Sequence, residues 1–277
     1  MKDNRKKGED SALRCRAREL YAGNRGLLLP LALLVGIPSL AGGFIGFLLP
    51  EGGWWNGLIA WGITLLSFPL TLGFTRIALT LARGEAPDRE LLHFYRRPAL
   101  LGQVMLIGAF MSLPSLCIYP LNLLQSFSHD VEAPDLLFAL LAGLSLLFLV
   151  GCLWFFCRFF LCPYLLILHE DGSAGEIIRD GFTLSSGHTG RIFSFLVWVY
   201  LPFYLLYLLP AALPMLLSGL STPSAKFWTN LAVQGLRYLL SATYSPYLEL
   251  SLAGLTLALL PWAKPGAGAG RRHAKGK

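Results

Sequence analysis

The sequence predicts an all-α fold: a polytopic membrane protein of six transmembrane helices, joined on one side by short amphipathic elbow helices. Three observations predict it. The 277 residues are 55% hydrophobic and only 14% charged, whereas a soluble domain carries about a quarter charged residues. Apolar runs long enough to cross hydrocarbon, which takes about 20 residues in a helix, recur along the chain. All 23 Lys and Arg residues except Lys226 and Arg237 fall into four clusters between those runs.

Residues 27–49, 55–75, 98–128, 136–157 and 192–225 carry no charge, and 238–263 carry one, Glu249. Spans are therefore expected near 27–49, 55–77, 98–122, 136–166, 192–217 and 234–261. Small residues at Ser39 and Ala41 resemble a cleavage site, but the apolar run continues to Leu49 after a long basic region. A retained signal-anchor helix fits better than a removed signal peptide. Three parts follow: a basic amphipathic segment over 1–26, a membrane domain over 27–262, and a disordered basic tail over 263–277. The tail opens on alternating Gly and Ala after Pro265, a composition that stays flexible.

The net charge of +7 raises the question of nucleic acid. Its placement answers it, because the basic residues flank apolar spans as cytoplasmic loops do against an anionic leaflet. The clusters are 2–25, 76–97, 158–191 and 264–277, with Arg158 inside a predicted helix. Six spans with both termini cytoplasmic satisfy every cluster. Expected partners are membrane lipids or another membrane protein, with no nucleic acid, and the expected location is the plasma membrane.

Each pair of spans is preceded by an amphipathic stretch. Leu13, Ala17, Leu20 and Tyr21 share a face in the first; Leu91, Leu92 and Tyr95 follow Pro87 and Asp88 in the second. In the third, Ser173 and Glu176 have capping-box spacing, and Ala174, Ile177, Ile178, Gly181 and Leu184 form the stripe. Such helices lie at the headgroup level, and as simple elbows they need no further role. The returning spans carry Pro69, Pro163 and Pro246. Each frees a carbonyl that a neighbour or water must satisfy. A threefold internal repeat is the hypothesis these matches suggest.

Some stretches resemble a known family. Residues 81–85 and 90–95, the aromatic-basic run 158–166 ending in Pro163 and Tyr164, Ser185-Ser186-Gly187-His188 before Arg191, and Pro246-Tyr247-Leu248-Glu249 carry the resemblance. They are similar, in order and spacing, to an uncharacterised bacterial membrane family known as domain of unknown function nine-seven-five. The resemblance implies a polytopic plasma-membrane protein and supplies no reaction or substrate.

Ionisable side chains within a bilayer are costly and usually face protein or water. Glu249 lies about 20 Å in from Trp262 and Arg158 about 18 Å before Glu170, at the helical rise of about 1.5 Å per residue. Either the two meet inside the bundle, or Arg158 snorkels outward and Glu249 is protonated or wet. Tyr164 and Tyr247 follow kink prolines and either line a polar cavity there or bond a freed carbonyl. Arg158, Glu249, Tyr164 and Tyr247 are the candidate binding residues. No catalytic set, cofactor motif or metal spacing occurs. Cys15, Cys117, Cys152, Cys157 and Cys162 read as packing residues. Trp54, Trp55, Trp228 and Trp262 read as interfacial anchors. The expected function is binding or passing a lipid-like or small amphipathic molecule. A structural or regulatory subunit of another membrane complex is the alternative, and a membrane-embedded enzyme the third.

Overall fold

A computed structural model describes residues 2–48, 54–87, 90–130, 135–216, 223–260 and 262. The 263–277 tail, Asp88 and the connections 49–53, 131–134 and 217–222 lie outside the described residues, as do the side chains of Trp54, Trp55 and Cys117. Eight α-helices follow in order: α1 (Lys2–Leu48), α2 (Trp54–Arg83), α3 (Pro98–Asp130), α4 (Asp135–Phe159), α5 (Cys162–Leu168), α6 (Ala174–Ser186), α7 (Thr189–Leu216) and α8 (Pro223–Leu259). Among the described residues there is no strand.

Among the described residues, four segments are long and apolar enough to cross a membrane: Gly8–Gly42, Leu58–Arg83, Gly143–Leu168 and Thr189–Leu206. Their outer faces suit hydrocarbon. Leu66 is 64% exposed and Leu147 69%. Side chains of that size, exposed along whole helices, form apolar surface that a soluble monomer rarely carries.

The chain divides into two units. The first combines Met1–Ile37, Leu70–His93 and Gly190–Lys277. Its core includes Leu28, Leu72, Phe74, Ile192, Phe195 and Ala253, all but excluded from the surface. The second combines Pro38–Pro69 and Phe94–Thr189. Val104, Ile107, Leu161, Leu166 and Ile177 form its core.

Local chemistry explains where helices stop. Gly84 takes φ +79°, a conformation that costs an L side chain about 1–2 kcal/mol. The Gly84 N–H donates to Leu81 O at 3.0 Å and the Glu85 N–H to Thr80 O at 3.1 Å. This is the paired-bond ending of a Schellman turn, which satisfies two of the last carbonyls of α2. Ser173 caps α6: its hydroxyl accepts from the Glu176 N–H while the Glu176 carboxylate accepts from the Ser173 N–H. The capping box expected from the sequence is present.

Three expectations are corrected. The fourth predicted span, 136–166, is not one helix: α4 ends at Phe159 and α5 begins at Cys162, with Pro163 in its first turn. The proline has no N–H for the helical ladder and its ring clashes with the turn before it, so the chain restarts there. The second elbow, expected as a helix after Pro87, is a series of turns over its described residues 90–96. Leu91 is buried there while Leu92 and Tyr95 are exposed, so the three share no face. In α6 the buried stripe runs through Ile177, Gly181 and Ser185, and Leu184 is 38% exposed.

The first elbow and first span run on as α1, with a break in helical geometry at Asn24 (φ −119°, ψ 17°). The Asn24 side-chain amide donates to Leu20 O at 2.9 Å, competing locally with the helical ladder as Asn does.

Candidate functional site

In the first unit, α1 reaches the end of α2 through one arginine. Two of the last α2 carbonyls are met by the Schellman turn; Ala82 O is met by Arg16, whose Nη2 donates at 3.2 Å. A cation at a helix C-terminus also offsets the negative end of the helix dipole. The same α1 segment is held at its start by Arg191 of α7. Arg191 donates to Asp10 Oδ1 from Nε at 3.0 Å and from Nη2 at 2.7 Å, and to Glu9 Oε2 at 3.3 Å. Farther along, the Arg14 guanidinium sits 5.7 Å from the Trp198 ring centre and that of Arg18 5.9 Å from Tyr247.

These contacts hold α1 so that a cavity of about 340 Å³ remains between α1, the end of α2 and α8. Leu13, Leu20, Leu250 and Leu257 supply apolar wall, with Gly254 leaving open floor. A Cβ on Gly254 would meet only Leu13 Cδ2, at 3.7 Å. Arg16 and Arg83 are the two charged lining residues. The Arg83 Nε is covered and has no hydrogen-bond acceptor among the described residues. The cavity thus joins a greasy wall to two guanidiniums, one of them with hydrogen-bonding capacity unused. A few polar groups at one side of an apolar cavity is the usual make-up of a small-molecule site.

Glu249, which directly precedes the lining residue Leu250 on α8, is partly buried. Its Oε2 lies 3.0 Å from the Thr75 hydroxyl, which lies 3.1 Å from Thr71 O. The hydroxyl has one hydrogen. Given to the carboxylate, it supports the charged form; given to Thr71 O, it leaves Thr75 to accept from a protonated carboxyl. The arrangement serves either form without moving a heavy atom. Tyr247 is buried against Tyr244, with ring centres 5.3 Å apart.

Arg158 and Tyr164 belong to the second unit. The Arg158 guanidinium lies 4.8 Å from the Phe182 ring centre and 5.5 Å from that of Trp154. Tyr164 is buried on α5 with its ring 5.5 Å from Phe160. The described interactions of Arg158 and of Glu249 thus lie each within its own unit. The depth assigned to Arg158 from a straight helix does not carry over, because the helix ends one residue after it.

Arg16 and Arg83 were legible in the sequence as topology signals and not as lining residues. The one local hint was Gly84, which stops α2 directly after Arg83. Tyrosines other than the expected ones cap the carbonyls beside prolines. Tyr21 donates to Thr243 O at 3.2 Å, three residues before Pro246. Tyr244 donates to Val199 O at 3.3 Å, three before Pro202. Tyr95 donates to Leu66 O, three before Pro69.

Among the described residues no group of His, Cys, Asp and Glu has the spacing to hold a metal ion. No family model matches the chain, nor does any curated protein or solved structure.

Proposed function

We propose that this chain is a six-span membrane protein, with both termini on the basic cytoplasmic side of the plasma membrane, that binds or passes a lipid-like amphiphile. One observation carries the reading: the first-unit cavity, apolar along Leu13, Leu20, Leu250 and Leu257 and charged at Arg16 and Arg83. Apolar wall suits an acyl or other hydrocarbon tail, with about 0.8 kcal/mol gained per buried methylene. The guanidiniums suit an anionic head, since their planar forks match carboxylate and phosphate oxygens. Glu249, with Thr75 beside it, supplies a carboxyl next in sequence to the lining residue Leu250. The segment resemblances to domain of unknown function nine-seven-five agree with a polytopic membrane protein.

The test is lipid and fatty-acid binding by the purified full-length chain, followed by native mass spectrometry. Gly254→Leu, which projects a side chain into the cavity, and Arg83→Gln, which removes a guanidinium without touching the Ala82 cap, are each expected to lower occupancy by about tenfold, the equivalent of one lost charge-assisted hydrogen bond. Unchanged occupancy in both folded variants contradicts the reading.

A further inference from the structure

The second unit presents a different feature. On α4, Leu144, Leu147, Gly151, Phe155 and Arg158 recur at spacings of three and four, so they follow one face of the helix. Along that face runs an open groove of about 450 Å³, walled on the α3 side by Leu113 and Pro114. Its lining is almost wholly apolar. Gly151 leaves its floor open, since a Cβ there would meet nothing within 4 Å.

Arg158 stands one helical turn beyond Phe155, the last α4 residue lining this groove. It is held by the faces of Phe182 and Trp154, at 4.8 and 5.5 Å. Its Nε and Nη1 are covered and find no acceptor among the described residues, while the residue as a whole is half-buried. Ring faces stabilise a guanidinium by about 0.5–2 kcal/mol, far short of the hydration it gives up. The planar cation is fixed in orientation and still requires an anion.

The two rings and α6 set its level. Trp154 is 50% exposed and Phe182 39%; a partly exposed Trp is enriched where hydrocarbon meets headgroups. Phe182 belongs to α6, which buries Ile177, Gly181 and Ser185 and turns Glu176, Arg179 and Asp180 outward. A short helix of that pattern lies in the interface plane. From Arg158 back to Leu144 the helix rises about 21 Å, at about 1.5 Å per residue, a length that accommodates a long acyl chain.

We propose that Arg158 and this groove form a binding site for one anionic phospholipid, with the phosphate against the guanidinium and an acyl chain along α4 between Leu147 and Pro114. The groove selects a lipid over a soluble phosphate. The Arg158 guanidinium selects an anionic lipid over a zwitterionic one, whose headgroup carries its own ammonium. The proposal draws only on residues of the second unit, and its failure leaves the reading of the first-unit cavity intact.

The full-length chain, held in phosphatidylcholine nanodiscs, is titrated with phosphatidylglycerol and bound lipid is counted by native mass spectrometry. The wild-type chain is expected to prefer phosphatidylglycerol. Arg158→Gln is expected to lower that preference about fivefold, the value of one basic residue at an anionic surface. Gly151→Phe, which leaves the guanidinium untouched and fills the groove floor, is expected to lower phosphatidylglycerol occupancy too. Glycerol phosphate, which has the head without the tail, is expected not to compete. An unchanged preference in Arg158→Gln, unchanged occupancy in Gly151→Phe, or full competition by glycerol phosphate overturns the proposal. Should Arg158→Gln not fold, Gly151→Phe and the competition decide it.

Discussion

Three tyrosines do the same work at three prolines. A proline leaves the carbonyl four residues before it without a helical donor, and Tyr21, Tyr95 and Tyr244 each donate to the carbonyl next along, three residues before Pro246, Pro69 and Pro202. Tyr→Phe at each position removes one hydrogen bond and is expected to cost about 1 kcal/mol. Tyr204→Phe, an exposed tyrosine, serves as the comparison; equal melting temperatures for all four variants contradict the capping role. The prolines were legible in the sequence, but the tyrosines that donate beside them were not. Tyr21 meets a residue more than two hundred positions away, and no local pattern announces such a partner. Glu176 offers a pH readout. The Ser173 N–H, donating to its carboxylate, holds the carboxyl below the usual carboxylate range. A depressed folded-state pKa contributes stability that is complete above the ordinary carboxylate range and is lost as pH falls through that range toward the folded value. Hydrogen exchange in the first turn of α6 is therefore expected to quicken on acidification below about pH 4.3, the ordinary glutamate value; Glu176→Gln should abolish that acceleration.

Helix-scale packing turns on two glycines that behave differently. A Cβ on Gly73 would lie 2.1 Å from the Leu91 carbonyl oxygen, which is backbone and cannot step aside. Gly73→Ala is expected to cost about 1–3 kcal/mol, as overpacking does. A Cβ on Gly181 would lie 2.4 Å from Cys162 Sγ, yet 3.4 Å from the nearest Cys162 backbone atom. Gly181→Ala should thus destabilise alone and recover in combination with Cys162→Ala, a coupling a double-mutant cycle reads directly. Additive losses would contradict the contact between α5 and α6. Pattern alone revealed α6, because Ser173 and Glu176 carry their cap within four residues. It misread Leu184, since periodicity places a residue on a face without saying what packs there, and Ser185 occupies the buried position instead. Likewise, apolarity over 136–166 hid the break after Phe159: hydropathy measures length in residues, whereas Pro163 acts on the backbone. The second elbow was misread from an apolar triplet, Leu91, Leu92 and Tyr95, which falls in a series of turns and shares no buried face.

At the scale of the molecule, composition and charge distribution made the helical membrane class plain, and four segments among the described residues have the length and apolarity to cross a bilayer. The six-span, inside-inside arrangement predicts that reporters fused at residue 130 and at the C-terminus fall on opposite sides; same-side signals would contradict it. The candidate site was less legible. Glu249 was picked out as a lone charge in an apolar run, and its partner proved to be Thr75, a residue with no charge to draw attention. Arg16 and Arg83 were hidden among basic neighbours, because a cluster that marks orientation looks the same whether or not two of its members turn inward on a cavity. The account's central claim is that this cavity takes an amphiphile. A structure of the full-length chain in lipid nanodiscs tests it most directly. Elongated density between α1, the end of α2 and α8, with its head against Arg16 and Arg83, is the predicted result. A cavity closed by Leu13, Leu20, Leu250 and Leu257, with no such density at saturating lipid, would contradict it.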